Sequence, residues 1–275
     1  SGGGGPTTPS DLSSPSPTQT TSCIPSGDGS AINRALVGVG AQAVLCQGAV
    51  FELTEPVNFT ADSQKMFTEG FSTGDQRATL RIANSSMWYA IDMTKRSNAV
   101  LSHVIVDGNR PRLGRYRGTG DQGRGTGGMI TAGLHATGQI VRNIKAFESR
   151  DWTVLDFIHD NACSNAVVED NEIGPSGIPA GSEAPGGGGG EWSDGISFGC
   201  NDSIVRRNTV TDATDVGIVI FGARGSFIED NVVRASSRAL MTGIGMADHF
   251  NFTNVSVSRN VIDAQGEVIR VGMLM

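Results

Sequence analysis

The sequence predicts an all-β solenoid, one stack of coils in which each strand pairs with its equivalent on the coils above and below. Three observations carry this. Residues 191 to 234 hold two turns of one unit, Asp194-Gly-Ile-Ser-Phe-Gly-Cys-Asn-Asp-Ser-Ile-Val-Arg-Arg-Asn208-Thr-Val and then Val216-Gly-Ile-Val-Ile-Phe-Gly-Ala-Arg-Gly-Ser-Phe-Ile-Glu-Asp-Asn231-Val-Val. Asn143, Asn171, Asn208, Asn231 and Asn260 read as one frame with gaps of 28, 37, 23 and 29 residues, and periods in this range mark repeats whose units cannot bury a face alone. The apolar runs are short and rich in Val and Ile, as strands are, and fall below helical length.

Short strands that recur unit after unit stack as parallel sheets about 4.8 Å apart. Asn side chains at one turn then form a ladder, each amide bonding the next backbone. The pattern resembles the right-handed parallel β-helix of the pectin-lyase-like superfamily over residues 30 to 275. That resemblance implies a single-domain right-handed parallel β-helix of about eight coils, and speaks for fold rather than reaction.

Residues 1–22 are almost entirely Ser, Thr, Pro and Gly, with one apolar side chain, Leu12. Such a segment cannot offset its ordering entropy and is expected to be a disordered linker, leaving residues 23–275 as the β-helix domain. Ser30 to Val37 reads as a cap helix with Ser30 as N-cap and Ile32, Leu36 and Val37 on one side, covering an otherwise open sheet edge. Ala43–Cys46, Val50–Leu53 and the run from Val57 make one coil; Thr79–Ile82, Met87–Ile91 and Val100–Val106 continue the stack. Two insertions break the repeat. One is the Arg-rich, Gly-rich stretch 107–128, with Arg110, Arg112, Arg115 and Arg117; the other is Gly174 to Gly190, which explains the gap of 37. The chain closes on an apolar strand, Glu267 to Met275, whose edge calls for more chain, a partner or self-association.

Composition excludes several classes. The 275 residues carry a net charge of −7, against a general nucleic-acid binder, and 38 Gly, as tight corners at every coil require. No apolar run is long enough to span a bilayer. The absence of an initiator Met and of a signal peptide reads as a processed chain. Five glycosylation triplets begin at Asn58, Asn84, Asn201, Asn251 and Asn254. Cys163 and Cys200 each lie eight residues before a ladder Asn, so they should meet across one rung within disulfide reach, leaving Cys23 to pair with Cys46. Paired cysteines place the protein outside the cell.

Three groups of residues could carry chemistry. Glu191, Asp194 and Asp215 form the first, the two aspartates about one coil apart and so able to act as acid and base. Ser193-Asp194-Gly195 and Asp215 resemble the Asn-Thr-Asp-Gly and Asp-Asp motifs of polygalacturonase-type hydrolases, with Trp192-Ser193 in place of Asn-Thr and Thr214 in place of the first paired Asp. The resemblance implies Asp194 and Asp215 as catalytic carboxylates. A second group, Arg150, Asp151, Asp156, His159 and Asp160 with Arg224, Arg238 and His249, would suit a lyase of this fold, with Asp156 and His159 as catalytic candidates. Lyases that this fold resembles often hold Ca2+ on acidic side chains; otherwise no cofactor or metal is expected. Trp152 and Trp192 offer sugar-stacking faces, and Arg110, Arg112, Arg115, Arg117, Arg224 and Arg238 carboxylate anchors. The expected function is therefore extracellular degradation of an acidic polysaccharide, hydrolase ahead of lyase. The competing expectation is a non-catalytic surface protein that binds glycans or self-assembles.

Overall fold

A computed structural model describes residues 22–116, 127–158, 162–179 and 191–275. Among the described residues the strands form three parallel sheets of eight, each coil contributing one strand to each sheet. The first sheet runs from Gln42–Leu45 to Ser256–Ser258, the second from Val50–Leu53 to Val261–Asp263, and the third from Val57–Asn58 to Ile269–Leu274. This is an all-β parallel β-helix. Inward side chains stack like on like: Leu155, Ile196, Ile218 and Ile244 pair in register down the third sheet and are fully buried. Among the described residues no helix is long and apolar enough to cross a membrane.

The corner between the first and second sheets sets the register. One residue crosses it in left-handed conformation: Asp170, Arg207, Asp230 and Arg259, with φ of 58, 52, 55 and 54°. Glycine is thus not what turns this corner. Asp tolerates the left-handed region. The two Arg are held by stacked acids, Arg207 by Asp170 at 2.8 Å and Arg259 by Asp230 at 2.8 Å. The next residue is the ladder. Asn171, Asn208 and Asn231 donate side-chain amides to the Oδ1 of Asn208, Asn231 and Asn260 at 2.8, 2.9 and 3.0 Å. Each Oδ1 also accepts the backbone N–H of the preceding Asn, and each Nδ2 also donates to a backbone carbonyl, as Asn208 does to Val168 at 3.0 Å. The bonds therefore run side chain to side chain as well as to backbone. Asn143 is not a rung. Arg142 pairs with Glu169, so Asn143 matches Asp170 and sits one residue early, at the left-handed corner with φ 53°; Ile144 occupies the rung and gives its N–H to Asn171 at 3.1 Å.

Both disulfides form, Cys23–Cys46 and Cys163–Cys200, each with Cα atoms 4.8 Å apart, one rung. The cap helix spans Gly29–Ala35, and its N-cap is Asp28, which accepts the Ala31 N–H, rather than Ser30, whose hydroxyl donates to Asp28 instead. Ile32 and Leu36 face the core, whereas Val37 lies past the helix and is exposed. Met87–Ala90 is irregular, and the strand there is only Ile91–Asp92; Lys65–Thr68 is a strand that the apolar pattern missed. Asn201 is 6 % exposed and cannot serve as a glycosylation acceptor in the folded chain. Asn251 and Asn254 are exposed, Asn58 and Asn84 partly so. Residues 1–21 lie outside the described residues.

Asn208→Ala strands two donors of Asn171 and the Val168 carbonyl, so urea unfolding should show a loss of about 2–4 kcal/mol. Asn143→Gly, at a left-handed corner outside the ladder, should leave stability within about 1 kcal/mol of wild type.

Candidate functional site

Four aspartates converge where the third sheet's strands begin. Asp151 precedes the strand Thr153–Ile158, Asp156 lies within it, Asp194 opens the strand Asp194–Phe198, and Asp215 comes just before Val216–Ile220. Register brings them together: Thr153 pairs with Asp194, Asp156 with Ser197, and the Asp215 N–H reaches the Ser193 carbonyl at 3.1 Å. Asp194 accepts the Val216 N–H at 3.0 Å and the Ser197 hydroxyl at 3.1 Å. That hydroxyl also lies 2.9 Å from Thr153 Oγ1.

Burial dominates the electrostatics. Asp194, 5 % exposed, has its pKa driven well above the usual range by desolvation and then by the Asp215 charge, against the bonds from Val216 and Ser197. Asp156, 4 % exposed, is pushed up to about 7 by burial and then by Asp151, and its Oδ1 has no partner. Burial raises Asp151 as well, despite the Trp152 and Gly127 amides and the charges of Arg115 and Arg110. Asp215 is raised by burial alone and is the most open of the four. Desolvation thus shifts all four carboxyls toward the protonated form, the direction that an acid needs.

Beside them opens a cleft of about 630 Å³, lined by Arg110, Arg115, Glu148, Glu191 and Arg238 among others. No aspartate of the four lines it. The link is Arg110, which donates to the Ser149 carbonyl at 3.2 Å and to Glu191 Oε2 at 2.7 Å, next to the Asp151 and Asp194 strands. Arg238 pairs with Glu148 and donates to the Gly177 carbonyl at 2.8 Å. Glu148 is a buried left-handed residue with φ 54°, a conformation held from both sides by this pair and by its N–H bond to Pro175 at 2.7 Å. Nothing local in the sequence marks Glu148, because its partner lies 90 residues away.

The remaining candidates separate. Arg110 is not an exposed anchor: it is 5 % exposed and already paired. Arg112 is exposed and Arg115 partly so, whereas Arg117 and His159 lie outside the described residues. Arg224 belongs to the far end of the strand Val216–Ile220 from Asp215, so it does not join the site. Trp152 is partly buried beside Asp151, and Trp192 is 37 % exposed. Arg150 spends its guanidinium on carbonyls, including Gly114 and Ser85 at 2.9 Å each, so it clamps loops. Among the described residues no three His, Cys, Asp or Glu side chains form a metal-binding group.

Thr214 and Ser193 have a structural explanation. Thr214 Oγ1 takes the Ser193 N–H at 3.0 Å, and Ser176 donates to Ser193 Oγ at 2.8 Å, a buried hydroxyl ladder. Gly195 and Gly217 are fixed by stacking: a Cβ on either would stand 2.6 Å from the carbonyl of the next glycine down the column. The Asp-Gly and Val-Gly pairs thus carry packing as well as any chemistry.

No family model matches the sequence, and no curated protein does. Among solved structures the chain is similar to Dettilon tailspike protein (17% identity, TM-score 0.48, 80% of this chain and 42% of that one). It is also similar to alginate lyase from Paenibacillus sp. str. FPU-7 (12% identity, TM-score 0.38, 90% and 98%). A third likeness is to the A-module of mannuronan C-5 epimerase AlgE4 from Azotobacter vinelandii (11% identity, TM-score 0.29, 90% and 93%). The chain spans 42% of the tailspike's length. The three parallel sheets, not these likenesses, establish the fold.

Two predictions follow from the burial. Between pH 3.8 and about 7 the folded protein keeps a proton on Asp156 that the unfolded chain has released. Its stabilisation is complete below the lower value and lost above the higher one. Asp156→Asn should therefore raise the melting temperature at pH 8 and leave it nearly unchanged at pH 4, the gain at pH 8 being on the order of 4 kcal/mol at most. Arg110→Ser removes a buried guanidinium's bonds to Glu191 and to the Ser149 carbonyl and should cost about 1–3 kcal/mol in chemical unfolding, more than Arg112→Ser.

Proposed function

We propose that this protein is an extracellular glycoside hydrolase acting on an acidic, uronate-containing polysaccharide, with Asp194 and Asp215 as its acid–base pair. The observation that carries this is the pairing of a buried Asp194, its pKa driven well up, with a partly exposed Asp215 on the next coil, beside an Arg-bearing cleft. Burial first and the Asp215 charge second raise Asp194, and Asp215 is the more open of the two, so Asp215 is assigned as the ionised partner. It is then the base that takes a proton from water as the water oxygen bonds to the anomeric carbon, while Asp194 donates its own proton to the glycosidic oxygen as that oxygen's bond to the same carbon breaks. Arg115 and Arg112 supply charge for substrate carboxylates, each worth about 0.2–1 kcal/mol and weakened by salt. Trp192 offers a ring face. Two disulfides favour an oxidising compartment.

A non-catalytic glycan-binding β-helix is the competing reading. The closure of Asp194 favours it, because both carboxylate oxygens are already bonded and the residue is 5 % exposed.

Incubation with a panel of uronate polymers decides between them. New reducing ends without ultraviolet-absorbing unsaturated ends support the hydrolase. Unsaturated ends would make it a lyase, and retention of polymer with no new ends a binding protein. Asp215→Asn and Asp194→Asn should each lower turnover by about 100-fold or more while sparing retention. Full activity in both variants would remove the pair from the chemistry.

A further inference from the structure

On the outer face of the first sheet, far along the coil from the aspartates, the corner after Lys65–Thr68 is long. Residues 69–77 fill a turn that the coil Val100–Asp107 crosses with His103 alone. The extra loop folds back over its own sheet. Phe71, at its tip, stacks on Phe67 with ring centroids 4.8 Å apart and planes 21° apart, and meets the edge of His103 at 5.3 Å. Phe71 is nevertheless 54 % exposed and left-handed with φ 53°. An exposed aromatic residue in that conformation is costly for folding alone. The loop is tied down by Gln47 Nε2 to the Glu69 carbonyl and by Arg77 Nε to the Gly74 carbonyl at 2.9 Å.

Beneath the ring lies a groove of about 290 Å³, lined by Gln42, Lys65, Phe67, Phe71, Arg142 and Ser102, with Val100 and Ile140 as its floor. It contains two cations and no carboxylate. Arg142 Nε in the wall and His103 Nδ1 beside it are buried without hydrogen-bond partners, polar capacity that the fold leaves unused. Burial and then the nearby Arg142 and Arg77 charges lower the His103 pKa, which favours the neutral ring. The charge therefore comes from Lys65 and Arg142.

We propose that this groove is a second binding site, for a single negatively charged sugar unit of a polysaccharide, with its ring against Phe71 and its carboxylate or sulfate between Lys65 and Arg142. Aromatic faces carry negative potential and attract the polarised C–H groups of a sugar ring. Guanidinium and ammonium groups bind the anion. The volume suits one ring and lies at the low end of the roughly 300–1,000 Å³ range of small-molecule sites. The site is separate from the aspartates and their cleft, with which it shares no residue. It would hold polymer to the protein without taking part in its chemistry.

His103, whose ring meets Phe71 at 5.3 Å, provides a reporter beside the groove. The NMR signals of its ring should shift when a short oligogalacturonate is added to the whole protein, and should stay in place with a cello-oligosaccharide of equal length. Phe71→Ala should weaken this binding about tenfold and Lys65→Ser about two- to fivefold, with added salt acting in the same direction. Phe71 is exposed and Lys65 lies on an outer face, so both variants should fold, with circular dichroism as the check. Any activity on short soluble substrates should be unchanged in both, which separates this site from the aspartate pair. An unmoved His103 signal at millimolar oligomer would overturn the proposal. So would an equal shift with the neutral sugar, or a shift that survives in both variants.

Discussion

A parallel β-helix must bury the polar atoms of its own corners, because each coil covers the corner of the next. The buried asparagine amides at the corner between the first and second sheets meet that constraint. An Asn offers two donors and an acceptor with two lone pairs. Here Asn208 uses them on Val168, Asn231 and both N–H groups of Asn171. No water is needed, and the geometry closes only when equivalent residues lie one above the other. The ladder therefore fixes the vertical alignment of coils whose lengths differ by many residues. Where an Asn is missing, as at Ile144, the neighbouring Asn171 still accepts the backbone donor.

Alignment at that corner decides what meets on the third sheet. With the coils locked, Thr153 falls against Asp194 and Asp156 against Ser197, and Asp215 arrives beside Ser193. Carboxyls on successive rungs cannot all ionise in a dry setting, and burial raises every one of the four. The same stacking accounts for the charges on the outside. Acid and base alternate up the left-handed corner from Asp170 through Arg207 and Asp230 to Arg259, so exposed positions that strain the backbone also neutralise one another.

The insertions do different work from the coils. Arg110 leaves the repeat only to return as a buried partner of Glu191, and Arg238 does the same for Glu148 from 90 residues away. Guanidinium groups that look in sequence like a free basic patch become cross-links that shape the cleft, leaving Arg112 and Arg115 to face outward. The loop at 69–77 is the counterpart on the first sheet, where a long corner sets an aromatic ring over two cations instead of closing the turn.

The periodicity of Val, Ile and Asn determined the solenoid, the parallel pairing and the Cys163–Cys200 bridge, because each depends on residue type repeating at coil spacing, while the cap helix was legible in its own apolar positions and Cys23–Cys46 followed by elimination. Asp194 and Asp215 were legible as neighbours for the same reason. Three matters required the tertiary structure. The shift of Asn143 by one residue depends on pairing register, to which a pattern of similar residues is blind. The burial of Arg110 and Asn201 depends on which face of the coil a neighbour covers. Glu148 with Arg238, and Phe71 with Lys65 and Arg142, come together only because coils and insertions distant in sequence are stacked a few ångströms apart. Composition cannot express that distance.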